Sequence, residues 1–302
     1  MQLHITHETR YDYAPPVSMA QHIAYLQPRT TCRQQLLGHS LQTTPEPAHQ
    51  QEMVDVFGNT RHYIALQTAH AQLQVVARSL VNTFGPLPAC SHMAWEQVGQ
   101  HLRWRAGQPF DCAGEWVFAS PHAPHHADFA AYALPSLGSG VPLLWAARDL
   151  MQRIHRDFVY ESQSTEVNTP ALQALAQRKG VCQDFAHIMV ACLRAHGLAA
   201  RYVSGYLLTQ PPPGQLRMVG ADASHAWVSV YCPEIEGGRW VDFDPTNNLL
   251  PDTQHITLAW GRDFADVSPL RGIILGGDDH ELDVAVTVTP IAGTGAEELA
   301  LS

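Results

Sequence analysis

Residues 180–197 read Gly180-Val-Cys-Gln-Asp-Phe-Ala-His-Ile-Met-Val-Ala-Cys-Leu-Arg-Ala-His-Gly197, and the rest of the chain is best understood from this stretch. Gly180 breaks what precedes it. From Cys182 to His196 the pattern predicts one helix, stopped by Gly197, a residue suited to the left-handed position just past a helix end. Phe185, Ile188, Met189, Val190, Cys192 and Leu193 cover more than one helical face, which predicts a buried helix. Cys182 falls on the first turn, where unpaired backbone N–H groups and the positive end of the helix dipole favour a thiolate. The competing reading is a small inert core residue, the usual fate of a free cysteine. The helix alone does not separate the two.

Two segments further on bear on that choice. Ala221-Asp-Ala-Ser-His-Ala-Trp-Val-Ser-Val-Tyr231 places strand formers after His225, and Arg239-Trp-Val-Asp-Phe-Asp-Pro-Thr-Asn-Asn248 reads as a short strand closed by Pro245. Two adjacent strands would hold His225 and Asp244 side by side, facing the helix tip. That supplies a nucleophile, a base and a group to orient the base. Asp242 lies on the same face of a strand as Asp244, so spacing leaves both aspartates open.

Gly180-Val-Cys-Gln-Asp-Phe-Ala-His187, Arg201-Tyr-Val-Ser-Gly-Tyr206, Asp222-Ala-Ser-His-Ala-Trp227 and Asp242-Phe-Asp-Pro-Thr-Asn247, in that order, resemble the transglutaminase-like superfamily of cysteine acyl-transfer enzymes. The likeness is to its bacterial branch, often described as cysteine proteases. It implies an α+β fold, with a papain-like or transglutaminase-like core of helices packed on an antiparallel sheet. It implies Cys182 as nucleophile, His225 as base and, from the Asp-Pro-Thr context, Asp244 as orienter. His7-Glu-Thr-Arg-Tyr-Asp-Tyr13 and Asp55-Val-Phe-Gly-Asn59 resemble the N-terminal region that accompanies this core in bacteria. Gly261–Gly272 is similar to the family's tail, which is expected to pack near the site.

Composition narrows the function classes. The net charge is −10 with no Lys/Arg-rich block, which argues against nucleic acid or an anionic membrane as partner. Met1-Gln-Leu-His-Ile-Thr-His7 has neither a basic start nor an apolar run, and no stretch reaches membrane-spanning length, so the expectation is a cytoplasmic protein. Cys32, Cys90, Cys112, Cys182, Cys192 and Cys232 show no CxxC spacing, which fits neither a zinc site nor a disulfide framework.

Leu3 and Ile5 alternate with polar neighbours, predicting a strand over 2–13 that Pro15-Pro16 ends. Gln35–Thr43, Thr60–Gln67 and Ala71–Val81 read as further strands, with a turn at Asp55–Asn59. Residues 1–85 are therefore expected to form a small sandwich-like β domain, and 86–302 the catalytic domain with its core motifs in 141–250. Short helical pieces follow at Ala94–Leu102 and Ala127–Leu134. Leu143 to Phe158 carries an apolar stripe at helical spacing, and Thr169-Pro170 reads as the start of a second helix ended by Gly180. Pro211–Gly214 reads as an exposed loop at the rim of the site. Glu281–Pro290 alternates as a strand at the end of a sheet, and 292–302 as a frayed terminus.

The reaction expected is attack of the Cys182 thiolate on an amide carbonyl of a peptide or protein, through a thioester. Water would then give hydrolysis of a peptide or isopeptide bond; an amine would give transfer, as in a protein-glutamine transglutaminase. A non-catalytic peptide-binding scaffold is the third class, weakened by the intact Cys-His-Asp set. The backbone N–H of Cys182 is the natural first oxyanion donor. Gln183, Asp184 and Trp227 are candidate supporting residues. No cofactor or metal is expected. No calcium loop is present, and the His-rich run Pro121–Asp128 lacks zinc spacing. The sequence leaves the oligomeric state open.

Overall fold

The computed structural model describes residues 1–85, 91–161, 169–209, 223–235, 239–277 and 279–291. The expected rim loop at 211–214 and the frayed terminus at 292–302 lie outside them.

Alternating burial makes β1 (Gln2–Ala24) a strand with Leu3, Ile5, His7 and Thr9 turned inward. It does not end at Pro15-Pro16 but runs on to Ala24. The prolines sit where the ladder to β5 is interrupted, between Asp12 and Val17, so they cost that pair no bond. The first half of β1 pairs with β5 (His70–Thr83) on one edge and β13 (Asp279–Pro290) on the other. The second half pairs with β4 (Thr60–Leu66) and β12 (Leu270–Gly276). β2 (Gln34–Thr44) and β3 (His49–Val54) extend this antiparallel sheet beyond β5 and β4. The sequence reading missed β3 because His49-Gln-Gln-Glu-Met-Val54 is a polar, mostly exposed edge strand without apolar alternation. It also placed β12 and β13 within the catalytic domain. They complete the N-terminal sheet instead, so the 86–302 span contributes to both units.

The other unit is built around a single buried helix. α1 (Trp95–His101), α2 (Ala127–Ala133), α3 (Leu143–Asp157) and α4 (Ala171–Gln177) surround α5 (Cys182–Arg194). α3 buries Leu143, Ala146, Ala147, Leu150, Met151 and Ile154, the stripe its periodicity predicts. α4 begins one residue later than expected, with Pro170 as N-cap, and ends at Arg178 in the left-handed conformation (φ 55°) rather than at Gly180. That frees Lys179–Gly180 (β7) to pair in parallel with Val159–Tyr160 (β6).

Every residue of α5 from Asp184 to Arg194 is buried. Its end is closed by two bonds, Leu198 N–H to the Leu193 carbonyl at 3.1 Å and Gly197 N–H to the Arg194 carbonyl at 2.9 Å. Gly197 takes φ 74° there, a conformation that costs glycine little. α5 packs on a four-stranded antiparallel sheet in the order β10 (Arg239–Phe243), β9 (Ala223–Cys232), β8 (Ala200–Leu207), β11 (His255–Gly261). Ala226, Val228 and Val230 share its core cluster. Trp227 is buried outside that cluster, and its ring crosses the bare backbone of Gly205, where a Cβ would come within 2.3 Å. α6 (Phe264–Val267) closes the unit against His187 of α5, through a Phe264 N–H bond of 3.1 Å to the His187 Nε2.

The two units share one core, since Leu3, Ile5, Val81, Val286 and Val288 belong to the α5 cluster. Two side-chain amides also tie the N-terminal sheet to β11. Gln34 donates to the Thr257 carbonyl at 2.9 Å and accepts from the Thr257 N–H at 2.8 Å. Asn59 does the same for Trp260, at 2.8 and 3.0 Å. This is the α+β arrangement the resemblance implies: helices on an antiparallel sheet, preceded by a β domain.

Candidate active site

Cys182 is the first residue of α5 and is partly exposed, while the helix behind it is buried. The turn that presents it is held by Asp184, whose carboxylate accepts the Val181 N–H at 2.9 Å. This side chain satisfies one of the orphan donors of the helix start. It lies across Gly180, where a Cβ would sit 2.6 Å from its Oδ2, so the residue two before the helix has room for no side chain. Asp184 is thus a cap, and Gln183 lies half-buried on the same turn. Tyr160, on the short strand beside Gly180, and buried Tyr202 of β8 are both raised in pKa, first by burial and then by their proximity to Cys182.

His225 of β9 meets both Cys182 and Asp244. Its Nε2 lies 2.7 Å from the Asp244 Oδ2, and the Cys182 thiol acts on the same ring. Burial alone would disfavour the imidazolium. The hydrogen bonds to Asp244 and Cys182, with the charges of both, outweigh it and carry His225 up to about 10. Asp244 is fully buried, which would raise its pKa. Bonds from His225, His255 and Asn247 instead hold it far below the usual carboxylate range.

The Asp-Pro-Thr-Asn turn explains how Asp244 is fixed. Its Oδ1 accepts the N–H groups of Thr246 and Asn247 at 2.9 and 3.1 Å, and its Oδ2 accepts the Asn247 side-chain amide at 2.8 Å. The turn is anchored by His155 of α3, bonded to the Thr246 carbonyl at 2.9 Å. Asp242, which spacing left as an alternative, is engaged elsewhere. It forms an ion pair with Arg33 at 3.2 Å and accepts from the Ser229 hydroxyl.

His255 and Asn247 were missed in the sequence. His255 stands 3.2 Å from the Asp244 Oδ2, on a strand that went unread. The alternation of Ile256, Leu258 and Trp260 with Thr257 and Ala259 was the available signal. His225, Asp244 and His255 also have the composition of a metal-binding trio. The His225–Asp244 contact, at 2.7 Å, is a hydrogen-bond distance, while the His255–Asp244 contact of 3.2 Å suits either arrangement. Two ligands ~2.0 Å from one tetrahedral zinc would stand about 3.3 Å apart. Trp227 packs behind the pair, its ring 6.1 Å from that of His225 and 5.4 Å from that of His255.

In the His-rich run, each described histidine makes a contact of its own. His122 stacks on His187, His125 bonds the Val117 carbonyl at 3.1 Å, and His126 caps α2. His187 is pushed well below its ordinary pKa by burial, so its Nε2 stays an acceptor for the Phe264 N–H.

Comparison with known proteins agrees with this fold. Residues 3–82 match the family described as the bacterial transglutaminase-like N-terminal region, and residues 136–245 match the transglutaminase-like superfamily. An uncharacterized protein of Mycobacterium tuberculosis is 40% identical over 297 residues, covering 96% of this chain and 93% of that protein. A 133-residue segment is 33% identical to a protein-glutamine gamma-glutamyltransferase of Pseudomonas aeruginosa, covering 40% of this chain and 20% of that protein. The fold is shared with a solved structure from Cytophaga hutchinsonii, named a "Putative Cysteine Protease". It has a TM-score of 0.73 and 22% identity, over 98% of this chain and 92% of that one. Among the described residues no helix is long and apolar enough to cross a membrane. The chain belongs to the transglutaminase-like superfamily and carries its bacterial N-terminal region.

Proposed function

We propose that the protein is a cysteine-dependent acyl-transfer enzyme that cleaves peptide or isopeptide amide bonds, with Cys182 as nucleophile, His225 as acid–base and Asp244 as orienter. One observation carries this reading: a buried imidazole 2.7 Å from a buried carboxylate, its pKa raised by that carboxylate and by the helix-tip thiol of Cys182. The thiolate attacks the carbonyl carbon, and the oxyanion is received by backbone N–H at the α5 tip, with Gln183 as the candidate side-chain donor. His225 then protonates the departing amine as the thioester forms. Water, deprotonated by His225, attacks the thioester and frees the acid and the thiol. A cytoplasmic location completes this reading.

Amine transfer is the second reading, favoured by the segment similar to a protein-glutamine gamma-glutamyltransferase. There an amine replaces water as acceptor, and the rest of the chemistry is unchanged. A glutamine-peptide library assayed with and without added primary amine distinguishes the two. Hydrolysis predicts ammonia or peptide release that is indifferent to the amine; transfer predicts incorporation of the amine. Cys182→Ala should remove either activity by at least about a thousandfold while the far-UV spectrum is kept. Activity surviving in that variant would reject Cys182 as nucleophile.

A further inference from the structure

On the face of the β10-β9-β8-β11 sheet that carries Trp227, the 31–34 segment of the N-terminal unit roofs a cavity of about 510 Å³. Its lining includes Trp227 and His255, which back the His225–Asp244 pair, but not Cys182. Arg201 is its unusual member. It is 8% exposed, and its guanidinium lies 3.6 Å from the Trp260 ring centroid and 4.2 Å from that of Trp240. Among the described residues it makes no hydrogen bond or ion pair, and its Nε is buried without a partner.

Arg194 shows what this chain does with a buried arginine that has only a structural task. At 1% exposure, it donates to the Ala200 carbonyl twice, to the Arg262 carbonyl and to the Ser120 hydroxyl. Leaving a buried cation without such partners is costly. A second buried donor in the cavity wall is also unspent: Trp227 is fully buried and its Nε1 has no acceptor. Asp242 attracts Arg201 through space, but among the described residues no acid forms a hydrogen bond or ion pair with it. Asp242 is committed to Arg33 and Ser229, and Asp252 bonds the Gln254 N–H at 2.8 Å and stands 3.6 Å from His255.

We propose that this cavity is a binding site for a small carboxylate-bearing molecule, whose carboxylate is received by the Arg201 guanidinium and the Trp227 indole N–H. A flat carboxylate suits a guanidinium already held in one plane by two indoles, and the volume admits an organic body beyond it. The site is separate from the thiol and does not depend on the roles given to Cys182, His225 and Asp244. It adjoins them only through Trp227 and His255.

The test is calorimetric titration of the full-length protein with benzoate, benzamide and inorganic phosphate. Benzoate should bind at one site per chain, and at least about tenfold more tightly than neutral benzamide or phosphate. Trp227→Phe keeps the ring and removes the donor; it should weaken benzoate about fivefold. Arg201→Met should abolish binding. Since that buried change could unfold the chain, Cys32→Glu serves as a control. Cys32 is exposed at the cavity lining, and a carboxylate there should weaken benzoate at least threefold without entering the core. The proposal is overturned if the wild type does not bind benzoate, or if benzamide or phosphate binds equally well. Benzoate affinity unchanged in both Trp227→Phe and Cys32→Glu overturns it too.

Discussion

Asp244 shows how much one carboxylate can be made to do. One oxygen is saturated by the backbone of its own turn and the other faces His225, so the imidazole has a fixed partner on a rigid mount. Asp242, two residues away, is held by Arg33 and Ser229 instead. Asp244→Asn should therefore lower kcat/KM by about 10²–10⁴-fold through the wrong imidazole tautomer. Asp242→Asn should cost less than about tenfold; equal losses would give both aspartates the same role.

His225 gives a pH signature. Its folded pKa is raised to about 10 from an ordinary value near 6.5. The stability it contributes is therefore full below about 6.5 and fades as pH rises through about 10. The difference in urea stability between the wild type and His225→Gln should shrink across that window, and a constant difference would contradict the pairing. The same variant should move alkylation of Cys182 by iodoacetamide to higher pH.

At the level of the element, the start of α5 is a packed joint. Gly180, Val181 and Asp184 form a cap whose carboxylate occupies the space of a missing Cβ. Gly180→Ala should destabilise by about 1–3 kcal/mol as the carboxylate is pushed off the Val181 N–H. In an Asp184→Ala background the obstruction is gone, so the same change should cost clearly less. Denaturant midpoints of the four proteins measure this coupling, and strictly additive effects would place the strain elsewhere. A displaced cap also moves Cys182, so the variant should lose activity before it loses structure.

For the molecule as a whole, the shared core and the Gln34 and Asn59 ties predict one cooperative unit. The sequence provides a probe. All seven tryptophans lie between positions 95 and 260, outside the strands of the N-terminal sheet. Tryptophan fluorescence follows the helical unit, and far-UV circular dichroism follows both. Their urea transitions should coincide; a dichroism change persisting after fluorescence is lost would show that the N-terminal sheet stands alone.

The Cys182 helix, the α3 stripe and most strands were legible in the sequence because they depend on local signals: apolar period, a glycine stop, turn residues. The proposed nucleophile, the histidine strand and the choice of family rested on motifs that are local too. Other features depend on pairings far apart in the chain, which no local period records. The end of the chain returns to β1, and His255 reaches Asp244 from a neighbouring strand. Local pattern could not separate Asp242 from Asp244, because a strand turns both the same way. The difference arose only when Arg33 and Ser229 met one aspartate, and the Asp-Pro-Thr-Asn turn carried the other to His225.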